Sequence, residues 1–154
     1  MKPIYRQREI LLVEDKPRDV KLLQECLRNV PFPYYLNTVS DDEAARAFLQ
    51  RHAPYRAAPR PDLILLDSQL AKHSGWDVLA WLRAQPFLTS IPVVMLKGIF
   101  SLLDEERIEQ LQPTRCLVKP KESADLLRVG QAIGTVISQN TSSVFFGGVA
   151  PQSA

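Results

Sequence analysis

Ile10-Leu11-Leu12-Val13 is a short, continuous apolar run, and the acidic pair Glu14-Asp15 closes it. A run of this length without alternating polar residues is typical of a strand that is buried on both faces of a parallel sheet. The acidic pair then stands where the strand ends and a loop begins. The stretch therefore predicts a central parallel strand with charged groups at its carboxyl end.

Further apolar runs repeat this pattern along the chain. They are Leu63 to Leu66, Val93 to Leu96 and Cys116 to Val118, and a second strand without a continuous apolar run is predicted near Tyr34 to Val39. Helical patterns with apolar spacings of three and four separate them. The predicted helices begin at Pro17 and at Ser40, where Glu43 completes a capping box, and then cover Trp76 to Gln85, Ser101 to Gln112 and Ser123 to Gln139. This alternation predicts an α/β fold, a doubly wound parallel sheet with helices on both faces.

Length and composition limit the domain organisation. The chain has 154 residues, of which 45% are hydrophobic and 23% charged, and this fits one globular domain with a core of its own. We divide it into an N-terminal segment at 1–8, a domain at 9–139 and an uncharged tail at 140–154. A separate effector domain is not expected.

The charge distribution and the cysteines limit the expected binding partners and the expected cellular compartment. The net charge of +2 comes from 19 basic and 17 acidic side chains that are scattered along the chain, without the basic block that nucleic-acid binding requires. Cys26 and Cys116 have no CxxC spacing, so we expect reduced thiols. No stretch approaches transmembrane length or the pattern of a signal peptide. We therefore expect a cytoplasmic protein without nucleic-acid or membrane partners.

Charged residues close two more of the apolar runs. Asp67 and Lys119 each follow one, as Glu14-Asp15 does. Because the carboxyl ends of parallel strands meet at one edge of a sheet, we expect these side chains to converge. Crowded carboxylates repel one another, and a hard divalent cation is the usual remedy, most often magnesium where phosphate is also bound. The sequence therefore predicts a phosphoryl and metal site.

These motifs resemble those of bacterial response-regulator receiver domains over about residues 9–137. The matching stretches are Leu12-Val13-Glu14-Asp15, Pro61-Asp62-Leu63-Ile64-Leu65-Leu66-Asp67, Gly75 eight residues on, Ile91-Pro92-Val93-Val94 and Val118-Lys119-Pro120. The resemblance implies a flavodoxin-like sheet of five parallel strands in the order 2-1-3-4-5. The stretch from Arg60 to Asp67 and the lead-in from Phe87 to Pro92 are similar to single-domain regulators that accompany phytochrome kinases. A sensor histidine kinase, with a phytochrome as one candidate, is thus the expected partner.

The resemblance also implies a role for each acidic residue. Asp67 would accept a phosphoryl group from a phosphohistidine of the kinase. Asp15 would bind Mg²⁺ (or Mn²⁺) directly, with Glu14 acting through water and the backbone carbonyl of Gln69 completing the protein ligands. The family is a phosphoacceptor signalling domain whose only chemistry is its own phosphorylation and dephosphorylation, so we expect no other enzyme activity.

Four further positions are implied to contact the phosphoryl group. Lys119 would pair with free Asp67 and then with a phosphoryl oxygen, and Ser68, Lys97 and Gly98 occupy the other contacting positions. An enzyme or cofactor carrier on a similar sheet is disfavoured, since Glu14-Asp15 would repel the phosphate that a flavodoxin holds after its first strand.

Two positions depart from the family pattern and affect the switch. Lys97 replaces the usual Thr or Ser, and Cys116 replaces the usual Tyr or Phe. Lys97 has three interpretations: it points to solvent, it joins Lys119 in a clamp on the phosphoryl group, or it forms an ion pair with unmodified Asp67. An alternative function therefore stays open, a receiver-like interaction module that works without phosphorylation.

The carboxyl-terminal end carries no charge after Arg128 and includes Val144-Phe145-Phe146. A solvent-facing helix normally shows charges on its outer face, and exposed aromatics are typical of an interface. We expect a homodimer through the fourth helix, the fifth strand, the last helix and the tail. The alternative is a disordered tail after an ordinary helix.

Overall fold

The computed structural model describes residues 4–98, 105–140 and 145–146. Strands and helices alternate along most of this range. In chain order they are β1 (Ile4–Tyr5), β2 (Arg8–Val13), α1 (Pro17–Leu27), β3 (Tyr34–Val39), α2 (Asp42–Gln50), β4 (Leu63–Asp67), α3 (Gly75–Arg83), β5 (Val93–Lys97), α4 (Glu105–Leu111), β6 (Arg115–Val118), α5 (Ser123–Asn140) and β7 (Phe145–Phe146). None of the helices described is long and apolar enough to cross a membrane.

The main sheet of the described chain has five parallel strands in the order β3-β2-β4-β5-β6. Counting only these strands from the amino terminus, the order is 2-1-3-4-5, which confirms the predicted flavodoxin-like fold. The register aligns Val13 of β2 with Leu66 of β4, and Asp67 with Leu96 of β5. The carboxyl ends of the central strands therefore meet at one edge.

The core lies on both faces of this sheet, which explains the continuous apolar runs. Ile10 and Leu12 of β2 pack in a cluster with residues of α1 and α5, whereas Leu11 and Val13 pack in a second cluster with residues of α2 and α3. All five residues of β4 are buried. A strand with helices on each face has no polar side, so its sequence does not alternate.

One predicted helix start differs from the structure, and another lies outside the described residues. The structure shows that the Ser40–Glu43 capping box is wrong: the N-cap of α2 is Asp41, whose side chain accepts a hydrogen bond of 2.7 Å from the Ala44 amide. Aspartate caps a helix as well as serine does, and Asp41 stands one residue nearer the first free amides. The predicted start of the fourth helix at Ser101 lies outside the described residues.

A terminal ribbon was not predicted. β1 and β7 pair antiparallel, with Ile4 opposite Phe146 and Tyr5 opposite Phe145. Strands of two residues are too short to show a periodic pattern. Residues 4–5 of the N-terminal segment thus pair with residues 145–146 of the tail. Asn140 ends α5, and the other tail residues lie outside the described part of the chain.

Helices α1 and α5 pack closely because of one glycine. A Cβ atom added to Gly130 of α5 would lie 2.3 Å from the carbonyl oxygen of Cys26 in α1. One turn later, a Cβ on Gly134 would meet only side-chain atoms at 3.6 and 3.7 Å. Cys26 and Cys116, both in the described part, are free thiols, as expected.

This difference predicts opposite effects for two matched substitutions. Gly130→Ala forces the α1 backbone away and should lower the free energy of unfolding by about 2 kcal/mol. Gly134→Ala fills ordinary space in the same helix and should leave the free energy unchanged or raise it by about 0.5–1 kcal/mol. Urea denaturation measures both. Equal changes in the two variants would contradict the close approach at Gly130.

Candidate functional site

Three carboxylates meet at the carboxyl edge of the sheet. Glu14 and Asp15 follow β2, and Asp67 is the last residue of the adjacent strand β4. One ligand atom from each lies within 4.8 Å of the others. Glu14 and Asp67 are each 1% exposed, so two of the three charges are removed from water. The predicted convergence of these acids is confirmed.

Lys119 reaches this cluster from the edge of the sheet. It follows β6, and its backbone amide donates a hydrogen bond of 2.8 Å to the carbonyl of Lys97 at the end of β5. Its Nζ atom lies 3.3 Å from Asp67 Oδ2 and 3.3 Å from Glu14 Oε2. The long side chain thus spans the width of β5 to place its ammonium group between two buried carboxylates.

Burial and crowding change the acidity of these groups. Burial, and then the nearby Asp67 carboxylate, raise the pKa of Glu14 to about 8. Burial alone would lower the pKa of Lys119, but the hydrogen bond to Asp19 and the charges of Asp67 and Glu14 raise it above its usual value. Lys119 therefore stays charged, and Glu14 binds a proton more readily than a solvent-exposed glutamate does.

The two oxygens of Asp67 have different environments. Oδ1 accepts a hydrogen bond of 3.1 Å from the backbone amide of Gln69. Oδ2 is buried and, among the described residues, has no hydrogen-bond partner, although two ammonium groups lie near it. A buried oxygen with free lone pairs is costly unless it serves a ligand or a reaction. Oδ2 is therefore the atom that is free to bind or attack.

The donor set fits a hard divalent cation. Carboxylate oxygens of Glu14, Asp15 and Asp67 are the ligands that Mg²⁺ and Mn²⁺ prefer, and no softer donor is part of this cluster in the described chain. Gln69 lies beside them, held by the hydrogen bond from its backbone amide to Asp67 Oδ1 and by an antiparallel β-bridge to Ser74. Ligation by its carbonyl stays a prediction.

The loop after β4 closes tightly under the site. The Ser68 amide donates to the Leu96 carbonyl at 2.8 Å, and the Gly75 amide donates to the Ser68 carbonyl at 2.9 Å. A Cβ on Gly75 would lie 2.0 Å from the carbonyl oxygen of Asp67. Glycine is therefore required eight residues after the acid, because α3 begins against the backbone of the acid itself.

Lys97 does not pair with Asp67 in this structure. The ion pairs of Asp67 in the described chain are with Lys16 and Lys119. Leu96 is the register partner of Asp67, and strand alternation puts Lys97 on the opposite face of β5, with Met95 and Cys116.

Of the three interpretations of Lys97, the ion pair with Asp67 is therefore wrong for this state. Burial raises the pKa of the Cys116 thiol and the charge of Lys97 partly offsets it, which agrees with their position on one face. The phosphoryl contacts of Lys97, Gly98 and Ser68 stay predictions.

Sequence reasoning missed two charged residues of the site. Lys16 Nζ lies 3.4 Å from Asp15 Oδ1 and 3.6 Å from Asp67 Oδ2. Asp19 Oδ2 lies 2.9 Å from Lys119 Nζ, nearer than either of its other acidic partners. Both residues stand at the start of α1, directly after the acidic pair. Asp19 lies in the first turn of α1, and its closeness in sequence to the acidic pair was the available signal.

The chain is similar in sequence to known proteins over most of its length. The sequence model described as "Response regulator receiver domain" matches residues 10–130. Response regulator Rcp1 of Synechocystis sp. is 40% identical over 124 residues, which is 80% of this chain and 84% of Rcp1.

Solved structures agree with this similarity. The Mn(2+)-bound form of Rcp1 matches with a TM-score of 0.74 and 38% identity, over 83% of this chain and 92% of that one. The phosphorylated cyanobacterial phytochrome response regulator RcpA matches with a TM-score of 0.78 and 32% identity, over 92% of this chain and 100% of that one.

The raised pKa of Glu14 predicts how stability depends on pH in EDTA. The pKa rises from an ordinary 4.5 to about 8, so the folded state holds a proton that the unfolded chain releases between these values. The free energy of unfolding should therefore fall as the pH rises from about 5 to about 8. In Glu14→Gln this part of the fall should be absent, because an amide does not titrate.

Urea denaturation at several pH values measures this dependence. Glu25→Gln, at an exposed position of α1, is the matched control and should keep the wild-type profile. Parallel profiles for the wild type and Glu14→Gln would show that Glu14 does not hold the proton.

Proposed function

Because the chain belongs to the response regulator receiver family, we propose that Asp67 is its phosphoacceptor in a two-component pathway. One observation carries the assignment: Oδ2 of Asp67 is buried without a hydrogen-bond partner in the described structure, yet faces the ammonium groups of Lys16 and Lys119. A nucleophilic oxygen needs free lone pairs, and the incoming phosphoryl group needs positive charge beside them.

The transfer step uses the residues already in place. Oδ2 of Asp67 attacks the phosphorus of a phosphohistidine, so that an O–P bond forms as the P–N bond breaks and its electron pair stays on the imidazole nitrogen. Asp67 attacks as the carboxylate and gives up no proton. Lys119 then offers its ammonium group to a phosphoryl oxygen in place of Asp67. The product is an acyl phosphate, which water hydrolyses to restore the carboxylate.

A divalent cation completes the proposed site. Glu14, Asp15 and Asp67, with the carbonyl of Gln69, would hold Mg²⁺ or Mn²⁺. When bound, the ion neutralises charge on the transferring group and aligns it for in-line attack. The fit rests on the all-oxygen donor set and on the mutual distances of the carboxylates. Rcp1, whose structure is described as Mn(2+)-bound, supports a divalent cation in this class of protein.

The proposed location of the chain is the cytoplasm, and its proposed partner is a sensor histidine kinase, with a phytochrome as the first candidate. RcpA, described as a cyanobacterial phytochrome response regulator, is 32% identical over 92% of this chain. As a receiver domain, the chain is a signalling protein rather than a metabolic enzyme. The alternative of a module that works without phosphorylation is not favoured, because Lys97 and Cys116 leave the ion pairs of Asp67 intact.

Phosphorylation of Asp67 has a direct test. The full chain, incubated with acetyl phosphate and Mg²⁺, should gain the mass of one phosphoryl group. Asp67→Asn should gain none, because an amide is not a nucleophile here. Asp77→Asn, at an exposed position of α3, is the matched control and should be labelled like the wild type. Labelling of Asp67→Asn at the wild-type level would show that another residue is the phosphoacceptor.

Dimerisation is the proposed output, through α4, β6, α5 and the tail. None of the residues described in α4 is buried, and its exposed face is available to a partner, while Leu111 packs against the second core cluster. The exposed positions of α5 beyond Arg128 carry no charge in the described range. α4 presents Glu105, Glu106 and Glu109, while β6 presents Arg115, so two copies related by a two-fold axis can pair opposite charges.

This proposal predicts a mass that rises with protein concentration in sedimentation equilibrium. Arg115→Glu should shift the monomer–dimer midpoint to about ten-fold higher concentration, since like charges then face each other. Arg18→Glu, the same charge change on exposed α1, should leave the midpoint unchanged. A monomeric wild type at every concentration, with and without acetyl phosphate, would exclude the dimer.

A further inference from the structure

Lys16 holds a position that the family motif does not assign. It is the N-cap residue of α1, and its backbone amide donates a hydrogen bond of 3.2 Å to Glu14 Oε1. Its side chain does not cap the helix but turns toward the site, where Nζ lies 3.4 Å from Asp15 Oδ1 and 3.6 Å from Asp67 Oδ2. The ammonium group thus bridges two of the three carboxylates that can hold a metal ion.

We propose that Lys16 is a tethered counter-cation that competes with the divalent ion for Asp15 and Asp67 and so sets the metal affinity of the receiver. The inference rests on the metal site of the proposed function. It adds a residue that tunes that site without being a ligand.

The physical reason is charge repulsion at short range. Mg²⁺ binds carboxylate oxygens at about 2.0–2.1 Å, so an ion shared by Asp15 and Asp67 would lie within a few ångströms of the present Nζ position. Two cations at that separation repel strongly even near a protein surface. Lys16 must therefore leave its two carboxylates when the metal binds, and the loss of these ion pairs weakens the observed affinity.

Lys119 differs from Lys16 in this respect. The Lys119 side chain is 12% exposed and has three acidic partners, so it stays in the site and meets the phosphoryl group. The Lys16 side chain is 54% exposed and can swing into water. One lysine is therefore a fixed part of the site and the other is a displaceable one. The consequence is a higher metal concentration for half-occupancy than the carboxylates alone would require.

The test is the dissociation constant for Mg²⁺ and for Mn²⁺, measured by isothermal titration calorimetry on the full chain. Lys16→Gln removes the charge but keeps the backbone amide that bonds to Glu14, and it should bind both ions about 3–10-fold more tightly. Lys16→Arg keeps the charge and the reach and should bind like the wild type. Lys21→Gln, an equal charge change at an exposed position of the same helix, should stay within about 1.5-fold of the wild type.

The outcomes separate this inference from the proposed function. Equal or weaker binding by Lys16→Gln, or equal tightening in Lys16→Gln and Lys21→Gln, overturns the role of Lys16, and Asp67 labelling by acetyl phosphate is unaffected by that result. A wild type that binds neither ion overturns both the metal site and this inference. Tightening confined to Lys16→Gln, with Lys16→Arg at the wild-type value, supports it.

Discussion

Electrostatic crowding at one edge of the sheet is the constraint on which the site depends. Two adjacent parallel strands end in acids, so Glu14, Asp15 and Asp67 cannot separate without breaking the strand register. Burial makes their repulsion more costly. Positive charge from Lys16 and Lys119 offsets this repulsion in the structure described. The proposed divalent cation and phosphoryl group would bind among these same crowded charges.

The scaffold converts this crowding into a reactive geometry. Because Gly75 has no side chain, α3 can begin in contact with the backbone of Asp67, and this contact fixes the position of the acid. The Gln69 amide binds one carboxylate oxygen and leaves the other free. Lys119 reaches over from the end of β6 because its amide continues the ladder with β5. Each of these contacts is local, yet together they leave Oδ2 as the available atom.

Lys97 and Cys116, the predicted switch positions, take no part in the ion pairs of Asp67 in the described chain. Lys97 and Cys116 share the face of the sheet that packs toward the second core cluster, away from the Asp67 side chain. The part that Lys97 and Cys116 play once Asp67 carries a phosphoryl group stays a prediction. Lys16 supplies a charge beside Asp67 that the usual hydroxyl could not.

The sequence by itself determined the α/β fold, the strand order through the family resemblance, and the acids and Lys119 of the site. These features follow from continuous apolar runs and from the rule that parallel strands end together. Only the tertiary structure decided which lysines accompany Asp67. Strand alternation places Lys97 on the opposite face of the sheet from Asp67, whereas the turn into α1 places the ammonium group of Lys16 beside Asp67. Neither orientation can be read from the linear sequence. The terminal ribbon likewise depends on two segments that are distant in sequence and meet only in the folded chain.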